Sequence, residues 1–175
     1  MKKIILLLFY TLMIIQLPAQ NMNQENWRSF EDVAYSIHYP ENWDLNTSGQ
    51  NNTSFILVAQ SSDDNSVFKE NINLLINPLP NEKINLDYFA KASEMQVAKA
   101  FEKSSLIKSV RVRNESGEYQ DMVYTGERNG IQLKFMQRYW VIDAKAYILT
   151  FSSNERKYDD YQEEVASIFD SFMFK

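Results

Sequence analysis

The feature that most constrains the fold is a strand that runs into a proline and restarts at a tryptophan. Residues 35–45 have the sequence Tyr-Ser-Ile-His-Tyr-Pro-Glu-Asn-Trp-Asp-Leu. The alternation predicts a strand in which Val33, Tyr35, Ile37 and Tyr39 share one face. Pro40 ends this strand because proline has no N–H for the ladder. Trp43 then begins a second short strand, so the segment is a fold signature without catalytic content.

The N-terminal residues have the three parts of a secretory signal peptide. Lys2 and Lys3 supply positive charge, residues 4–17 form an apolar run, and Ala19 precedes a polar segment. The run is shorter than the roughly 20 residues that a membrane-spanning helix needs. We therefore expect residues 1–19 to be removed after Ala19; a retained membrane anchor is the alternative. No cysteine follows the run, which excludes a bacterial lipoprotein anchor.

These boundaries predict an exported protein with one folded unit. Residues 20–29 are expected to form a flexible lead-in, and residues 30–175 a single domain. We expect the mature chain to be periplasmic or secreted, with no stable membrane insertion after signal cleavage.

Charge and cysteine content exclude several classes of function. The formal charge of the whole chain is −5, and loss of Lys2 and Lys3 with the signal peptide makes it more negative by two. An acidic domain is poorly suited to nonspecific nucleic-acid binding, which depends on lysine and arginine contacts to phosphates. The chain has no cysteine, which excludes thiol catalysis and cysteine-based zinc sites.

The rest of the chain alternates between strand and helix periodicity. Residues 86–101 have apolar side chains at helical spacing, with Asn85 as the N-cap, and a second amphipathic helix runs from Tyr158 to Phe172. Strands are predicted at 55–60, 71–77, 106–112, 118–126, 131–142 and 147–151.

The connections between these strands indicate the sheet type. Asn129-Gly130 is a strong signal for a tight hairpin, because both positions of a type I′ turn need positive φ. Residues 131–142 are apolar or aromatic on both faces, as in a central strand covered on both sides. The pattern predicts an α+β domain, an antiparallel β-sheet sandwiched by helices, with a C-terminal helix.

The order of these elements resembles the PsbP superfamily, which includes PsbP-like and DcrB-like exported bacterial proteins. Three stretches carry the resemblance: Tyr35–Trp43, residues 71–76 before a helix, and the ending from Tyr147 to Phe172. The resemblance implies a PsbP-like α/β/α sandwich and a scaffold that docks other proteins. It implies no cofactor and no activity, because function does not follow from fold.

The candidates for chemistry are few. His38 is the only histidine, and a lone histidine without cysteine makes neither a zinc site nor a catalytic set. The paired acids Asp63-Asp64, Asp159-Asp160 and Glu163-Glu164 lack the spacing of a calcium loop. With four glycines in the chain there is no glycine-rich phosphate loop. We therefore predict no catalytic residue, no metal ligand and no cofactor.

A partner-binding set is predicted from residue type alone. Tryptophan, tyrosine and arginine dominate binding hot spots. On this ground we single out Trp43, Tyr124, Arg138 and Trp140. The alternative is that these side chains pack beneath the two helices.

Four functional hypotheses remain open at this point. The leading one is a non-enzymatic exported module that docks an unknown envelope or periplasmic protein, through a sheet face or the loops at 46–53 and 61–66. A second is a carrier of a small hydrophobic ligand or lipid, bound beneath a helix. A third is a hydrolase with an unrecognised site, in a cleft where two carboxylates, or His38 and an acid, converge. A fourth, drawn from DcrB-like proteins, is an immunity or chaperone partner of a secreted toxin.

Overall fold

The computed structural model describes residues 26–60, 67–114 and 117–175. The signal peptide predicted at 1–19 and the loop at 61–66 lie outside these residues. Within the described ranges, ten strands and two α-helices follow in the order β1 (Trp27–Glu31), β2 (Tyr35–Pro40), β3 (Trp43–Asn46), β4 (Thr53–Ala59), β5 (Asn71–Pro78), α1 (Leu86–Ala100), β6 (Glu102–Asn114), β7 (Gly117–Arg128), β8 (Ile131–Ile142), β9 (Lys145–Asn154), α2 (Gln162–Asp170) and β10 (Met173–Phe174). Short 3₁₀ helices occupy Gln50–Asn52 and Glu155–Tyr161.

The centre of the fold is a seven-stranded antiparallel sheet. Its order is β3-β4-β5-β9-β8-β7-β6, so two meanders meet at the β5–β9 pair and α1 connects them. Residues 129 and 130 both have positive φ, as predicted for the hairpin between β7 and β8. The antiparallel sheet, the two helices and the bounds of β8 confirm the predicted α+β fold.

Each face of this sheet has its own apolar core. On one face α1 covers a cluster that includes Met122, Tyr124 and Phe135. The larger core, on the other face, is covered by α2 and by a second sheet of order β1-β2-β10. Alternation along β8 sends side chains into both cores, which explains why residues 131–142 are apolar on both faces. Among the described residues, no helix is long and apolar enough to cross a membrane.

The small sheet is where the structure departs from the predictions. The alternation predicts that Val33 belongs to the strand and shares a face with Tyr35, but Val33 lies in the β1–β2 turn and is 93% exposed. The turn forms because the Ala34 N–H donates to the Asp32 side chain, so the strand begins only at Tyr35. Residues 27–29, at the end of the predicted lead-in, pair with β2.

The C-terminal segment also differs from the prediction of one helix through Phe172. A 3₁₀ turn comes first, α2 stops at Asp170, and the chain then adds β10 to the edge of β2. This early stop turns Phe172 and Phe174 back over the large core, where their rings lie 5.2 Å apart. The reversal creates one wall of the groove described next.

Candidate functional site: a groove beside the C-terminal strand

An open groove lies on the large-core face of the main sheet, between strands β7–β8 and the end of the chain. Its volume is 510 Å³. Its walls are the side chains of Asn114, Tyr119, Arg138, Trp140, Phe169, Asp170, Phe172, Met173 and Phe174. A pocket of this volume is within the range of protein ligand sites. We call it the C-terminal groove.

Alternation along two paired strands places the polar centre of the groove. Arg138 and Trp140 occupy successive inward positions of β8, and Asp121 pairs directly with Arg138 across the β7–β8 ladder. Tyr119 lies two residues before Asp121 and therefore points to the same face. The β7–β8 hairpin thus fixes the four side chains relative to one another.

Arg138 is buried and has every one of its nitrogen atoms engaged. Its Nε and Nη2 donate to the two carboxylate oxygens of Asp121, at 2.7 and 3.0 Å, and its Nη1 donates to Asp170 Oδ1 at 2.8 Å. The guanidinium lies 4.0 Å from the ring centroid of Tyr119 and 5.8 Å from that of Phe169. Bidentate pairing and aromatic stacking are contacts that arginine makes and lysine does not.

The surroundings of Arg138 and Tyr119 in the groove keep both side chains in their ordinary ionisation states. Burial acts to lower the pKa of Arg138, but hydrogen bonds and charges from Asp121 and Asp170 reverse the effect, so the pKa is raised. Burial raises the pKa of the Tyr119 hydroxyl. The charge of Arg138 acts to lower this pKa, and the charges of Asp121 and Asp170 act to raise it. At neutral pH the groove therefore contains a charged arginine and a neutral tyrosine.

Aromatic rings complete the walls. Trp140 lies 4.9 Å from Phe172, 5.5 Å from Phe174 and 6.0 Å from Tyr119, measured between ring centroids. Met173 projects at the rim and is 56% exposed. The groove is thus an aromatic surface with one charge network and no nucleophile–base pair among its lining residues.

A second, smaller cleft lies beneath α1. It has a volume of 370 Å³ and is lined by residues that include Phe89, Val97, Phe101, Tyr124, Tyr139 and Ile148. Two of its polar side chains are bonded in series, since the Tyr139 hydroxyl donates to Gln137, which in turn donates to Thr150. Burial raises the pKa values of Tyr124 and Tyr139 well above that of a free tyrosine, so both stay neutral.

The four residues singled out by type lie at three places in the structure, and all four are buried. Arg138 and Trp140 come together in the C-terminal groove, whereas Tyr124 lines the cleft beneath α1. Trp43 is in the large core, where its Nε1 donates to Glu164 Oε1 at 2.7 Å. Their burial agrees with packing beneath the helices, the alternative for this set. A partner-binding role for Trp43, Tyr124, Arg138 and Trp140 stays a prediction.

Three of the other candidates from the sequence make contacts within the fold, namely His38, Asp159 and Glu164. The backbone of His38 exchanges two hydrogen bonds with the Ser171 side chain, which ties β2 to the end of α2. Asp159 lies 3.2 Å from Lys134, and Glu164 accepts the Trp43 hydrogen bond. Within the described ranges, no group of three or more histidine, aspartate or glutamate side chains is placed to hold a metal ion. Asp63 and Asp64 lie outside those ranges.

Sequence reasoning missed Tyr119, Asp170 and Phe174, which line the groove, and Asp121, which pairs with Arg138 behind it. Asp121 and Arg138 carry a detectable signal, because each is a charge at an inward position of an alternating strand. Asp170 and Phe174 carry no such signal, because their position depends on where α2 ends.

Fold and groove together define an α+β sandwich: a long antiparallel sheet with a helix on one face and a helix plus a small sheet on the other. The chain belongs to the PsbP family, whose sequence model matches residues 25–174. No curated protein matches the chain by sequence.

Solved structures with the same fold share little sequence with this chain. Cyanobacterial PsbP (CyanoP) from Synechocystis sp. PCC 6803 is 12% identical, with a TM-score of 0.63 over 89% of this chain and 96% of its own. LpqN, involved in cell envelope biogenesis of Mycobacterium tuberculosis, is 11% identical, with a TM-score of 0.63 over 85% and 91%. PA94 from Pseudomonas aeruginosa, described as a putative regulator, is 13% identical, with a TM-score of 0.54 over 79% and 90%.

Proposed function

We propose that this chain is an exported, non-enzymatic member of the PsbP family that docks a partner protein in the periplasm or cell envelope. The observation that carries the proposal is the C-terminal groove: it is lined by aromatic rings, has exposed Asp170 and Met173 at its rim, and lies beside a buried arginine whose three nitrogen atoms are all engaged. Aromatic residues are enriched in protein interfaces, and tryptophan, tyrosine and arginine dominate their hot spots. A groove whose lining includes no nucleophile–base pair is better suited to binding than to catalysis.

Two further observations support the location. Residues 1–19 have the composition of a secretory signal peptide. LpqN, which shares the fold, is a protein of cell envelope biogenesis. Mass measurement of the chain purified from its own host tests the export step, since cleavage after Ala19 leaves a chain that begins at Gln20.

Site-specific photo-crosslinking tests the docking site. A benzoylphenylalanine at Met173 places the reactive group at the rim of the groove, and the same group at Met95 is the matched control. The two methionines are equally exposed, at 56% and 58%, but Met95 lies on α1 at the opposite face of the sheet. We expect a discrete crosslinked protein in the host's envelope fraction from position 173 and none from position 95. Equal crosslinking at both positions, or none at either, would contradict the proposal.

The cleft beneath α1 supports a second candidate, the carrier of a small hydrophobic ligand. Only Leu86, Ala90 and Val97 of the helix are buried, so α1 covers its cluster incompletely. Native mass spectrometry of the protein from its own host tests this function. A bound mass of a few hundred daltons that is lost in a Val97→Trp variant, which fills the cleft, would support it; a bare chain would count against it.

A further inference from the structure

The charge of the C-terminal groove is unbalanced. Arg138 carries one positive charge, and the paired Asp121 cancels it. Asp170 adds a second carboxylate at the rim, with its side chain 67% exposed and only Oδ1 engaged by Arg138. Arg138 and Asp170 are the only charged residues that line the groove within the described chain. With Asp121 behind them, the network as a whole carries one negative charge.

The end of α2 adds to this negative potential. Asp170 is the last residue of the helix, so the groove lies beside its C-terminus. The carbonyl groups at that end carry a partial negative charge, which stabilises a nearby cation. The Ser171 N–H satisfies carbonyls of residues 167 and 168, but the direction of the dipole is unchanged.

The aromatic walls favour the same kind of occupant. The faces of tryptophan, tyrosine and phenylalanine attract a cation within about 6 Å of the ring centroid. Arg138 already occupies such a position over Tyr119. Of the rings Trp140, Phe172 and Phe174, which also line the groove, Phe174 is half-buried, whereas the other two, on which it packs, are buried. Phe174 is therefore the ring of these three that a cation can reach.

We propose that the C-terminal groove binds a lysine or arginine side chain presented by an extended segment of the docked partner. This inference rests on the proposed function and names the chemistry of the partner's contact. The ammonium or guanidinium group would lie against the half-buried Phe174, whose ring packs on Trp140, and would pair with Asp170 Oδ2 at the exposed rim. Its alkyl stem would cover Met173. An acidic side chain fits poorly, because Arg138 is only 7% exposed and already serves two carboxylates.

Short peptides provide the direct test. The probe is acetyl-Ala-Leu-Lys-Leu-Ala-amide, with norleucine or glutamate in place of lysine as matched controls. The chain has three tryptophans, Trp27, Trp43 and Trp140, so its indole N–H resonances are separately assignable by NMR. We expect the lysine peptide to shift the Trp140 resonance and leave that of the fully buried Trp43 unmoved. We expect it to bind about fivefold more tightly than the norleucine peptide.

Two variants isolate the role of charge. Asp170→Asn keeps an oxygen that accepts from Arg138 and removes the free charge, so lysine-peptide affinity should fall to that of the norleucine peptide. Asp160→Asn, at an exposed acid outside the groove, should change nothing. NMR resonances of Asp170→Asn that match those of the unsubstituted protein everywhere outside the groove would confirm that the variant keeps the fold.

The inference is overturned if the norleucine peptide binds as tightly as the lysine peptide, if the glutamate peptide binds more tightly, or if none of them moves the Trp140 resonance. A partner crosslinked at position 173 through a segment without lysine or arginine would overturn the inference and leave the docking function standing. A lysine-specific response without any crosslinked partner would count against the docking function alone.

Discussion

The two carboxylates of the groove should differ sharply in their contribution to stability. Asp121 makes two hydrogen bonds to Arg138, and both side chains are buried, at 13% and 7% exposed. Asp170 makes one hydrogen bond from a largely exposed position. Removing one partner of a buried ion pair leaves the other charge uncompensated, at a cost of about 3–5 kcal/mol. Removing an exposed partner costs about 0–1 kcal/mol.

We therefore expect Asp121→Ala to lower the free energy of unfolding by about 3–5 kcal/mol and Asp170→Ala by at most about 1 kcal/mol. For a domain of this size each kcal/mol corresponds to a change in Tm of about 2–4 °C. Urea unfolding followed by tryptophan fluorescence measures both variants. Because total stabilities are about 5–15 kcal/mol, the Asp121 variant should still fold or sit close to its threshold.

A double variant distinguishes the energetic cost of leaving one charge buried and unpaired from the loss of a favourable ion pair between Asp121 and Arg138. Replacing the whole pair, as Asp121→Leu with Arg138→Met, removes both charges from the interior, and such replacements are often neutral or stabilising. We expect this double variant to be more stable than Asp121→Ala. If the two aspartate variants differ by less than about 0.5 kcal/mol, or if the double variant is the least stable of the three, the account of a buried charge pair is wrong.

Three further perturbations test other parts of the fold. Gly126→Ala should destabilise by about 1–3 kcal/mol in thermal unfolding, because the new Cβ would lie 2.6 Å from Phe101 Cβ; an unchanged Tm would refute this. Ala144→Gly should stabilise by about 0.5 kcal/mol, because Ala144 has a φ of 54° in the β8–β9 turn; a loss of stability in urea would contradict it. Burial, assisted by nearby carboxylates, raises the pKa of Tyr158 from 10.0 to about 12. The contribution of the neutral Tyr158 to stability is therefore complete below pH 10 and is lost between pH 10 and pH 12. In urea unfolding, the free energy of unfolding of Tyr158→Phe should fall less steeply over this pH range than that of the control Tyr88→Phe. Parallel falls in the two variants would refute the prediction.

Local patterns predicted most of the main sheet because their physical causes are local. The period of two in β8 and the positive-φ turn at Asn129-Gly130 each depend on a few neighbouring residues. The N-cap of α1 is equally local, since the Asn85 side chain accepts from the Tyr88 N–H. These elements follow from chain segments that specify their own geometry.

The small sheet was predicted only in its central strand β2, because its other two strands, β1 and β10, have no local signature. β10 has two residues and pairs Met173 with Ser36 across most of the chain. β1 lies in a polar segment, and only Trp27 and Phe30 of its side chains pack against the large core. Such strands form because the large core needs a cover, which is a tertiary cause.

The Asp121–Arg138 pair of the groove could have been predicted by counting residues outward from the β7–β8 turn. Once Arg128 and Ile131 flank the two-residue turn, strict antiparallel register places Asp121 opposite Arg138. Two opposite charges paired at inward positions of adjacent strands predict a buried ion pair. The rest of the groove required knowing that α2 stops at Asp170, and the amphipathic spacing through Phe172 indicates a longer helix.

Trp43 tests whether the tryptophan of the opening signature serves the fold or a partner. It is fully buried, packs edge-on against Tyr161 at 6.0 Å, and ties edge strand β3 to α2 through Glu164. Trp43→Phe removes that hydrogen bond to a charged group and leaves a smaller ring, so we expect a loss of about 2 kcal/mol in urea unfolding.

The control for this variant is Trp27→Phe on β1, a half-buried tryptophan that should lose less stability. Trp43→Phe should leave the response of Trp140 to the lysine peptide unchanged, because Trp43 lines no part of the groove. A variant that kept its stability but lost the peptide response or the crosslinked partner would make Trp43 a binding residue. The Tyr-Pro-x-x-Trp signature would then be a functional motif, whereas its burial in the large core argues that it is a requirement of folding alone.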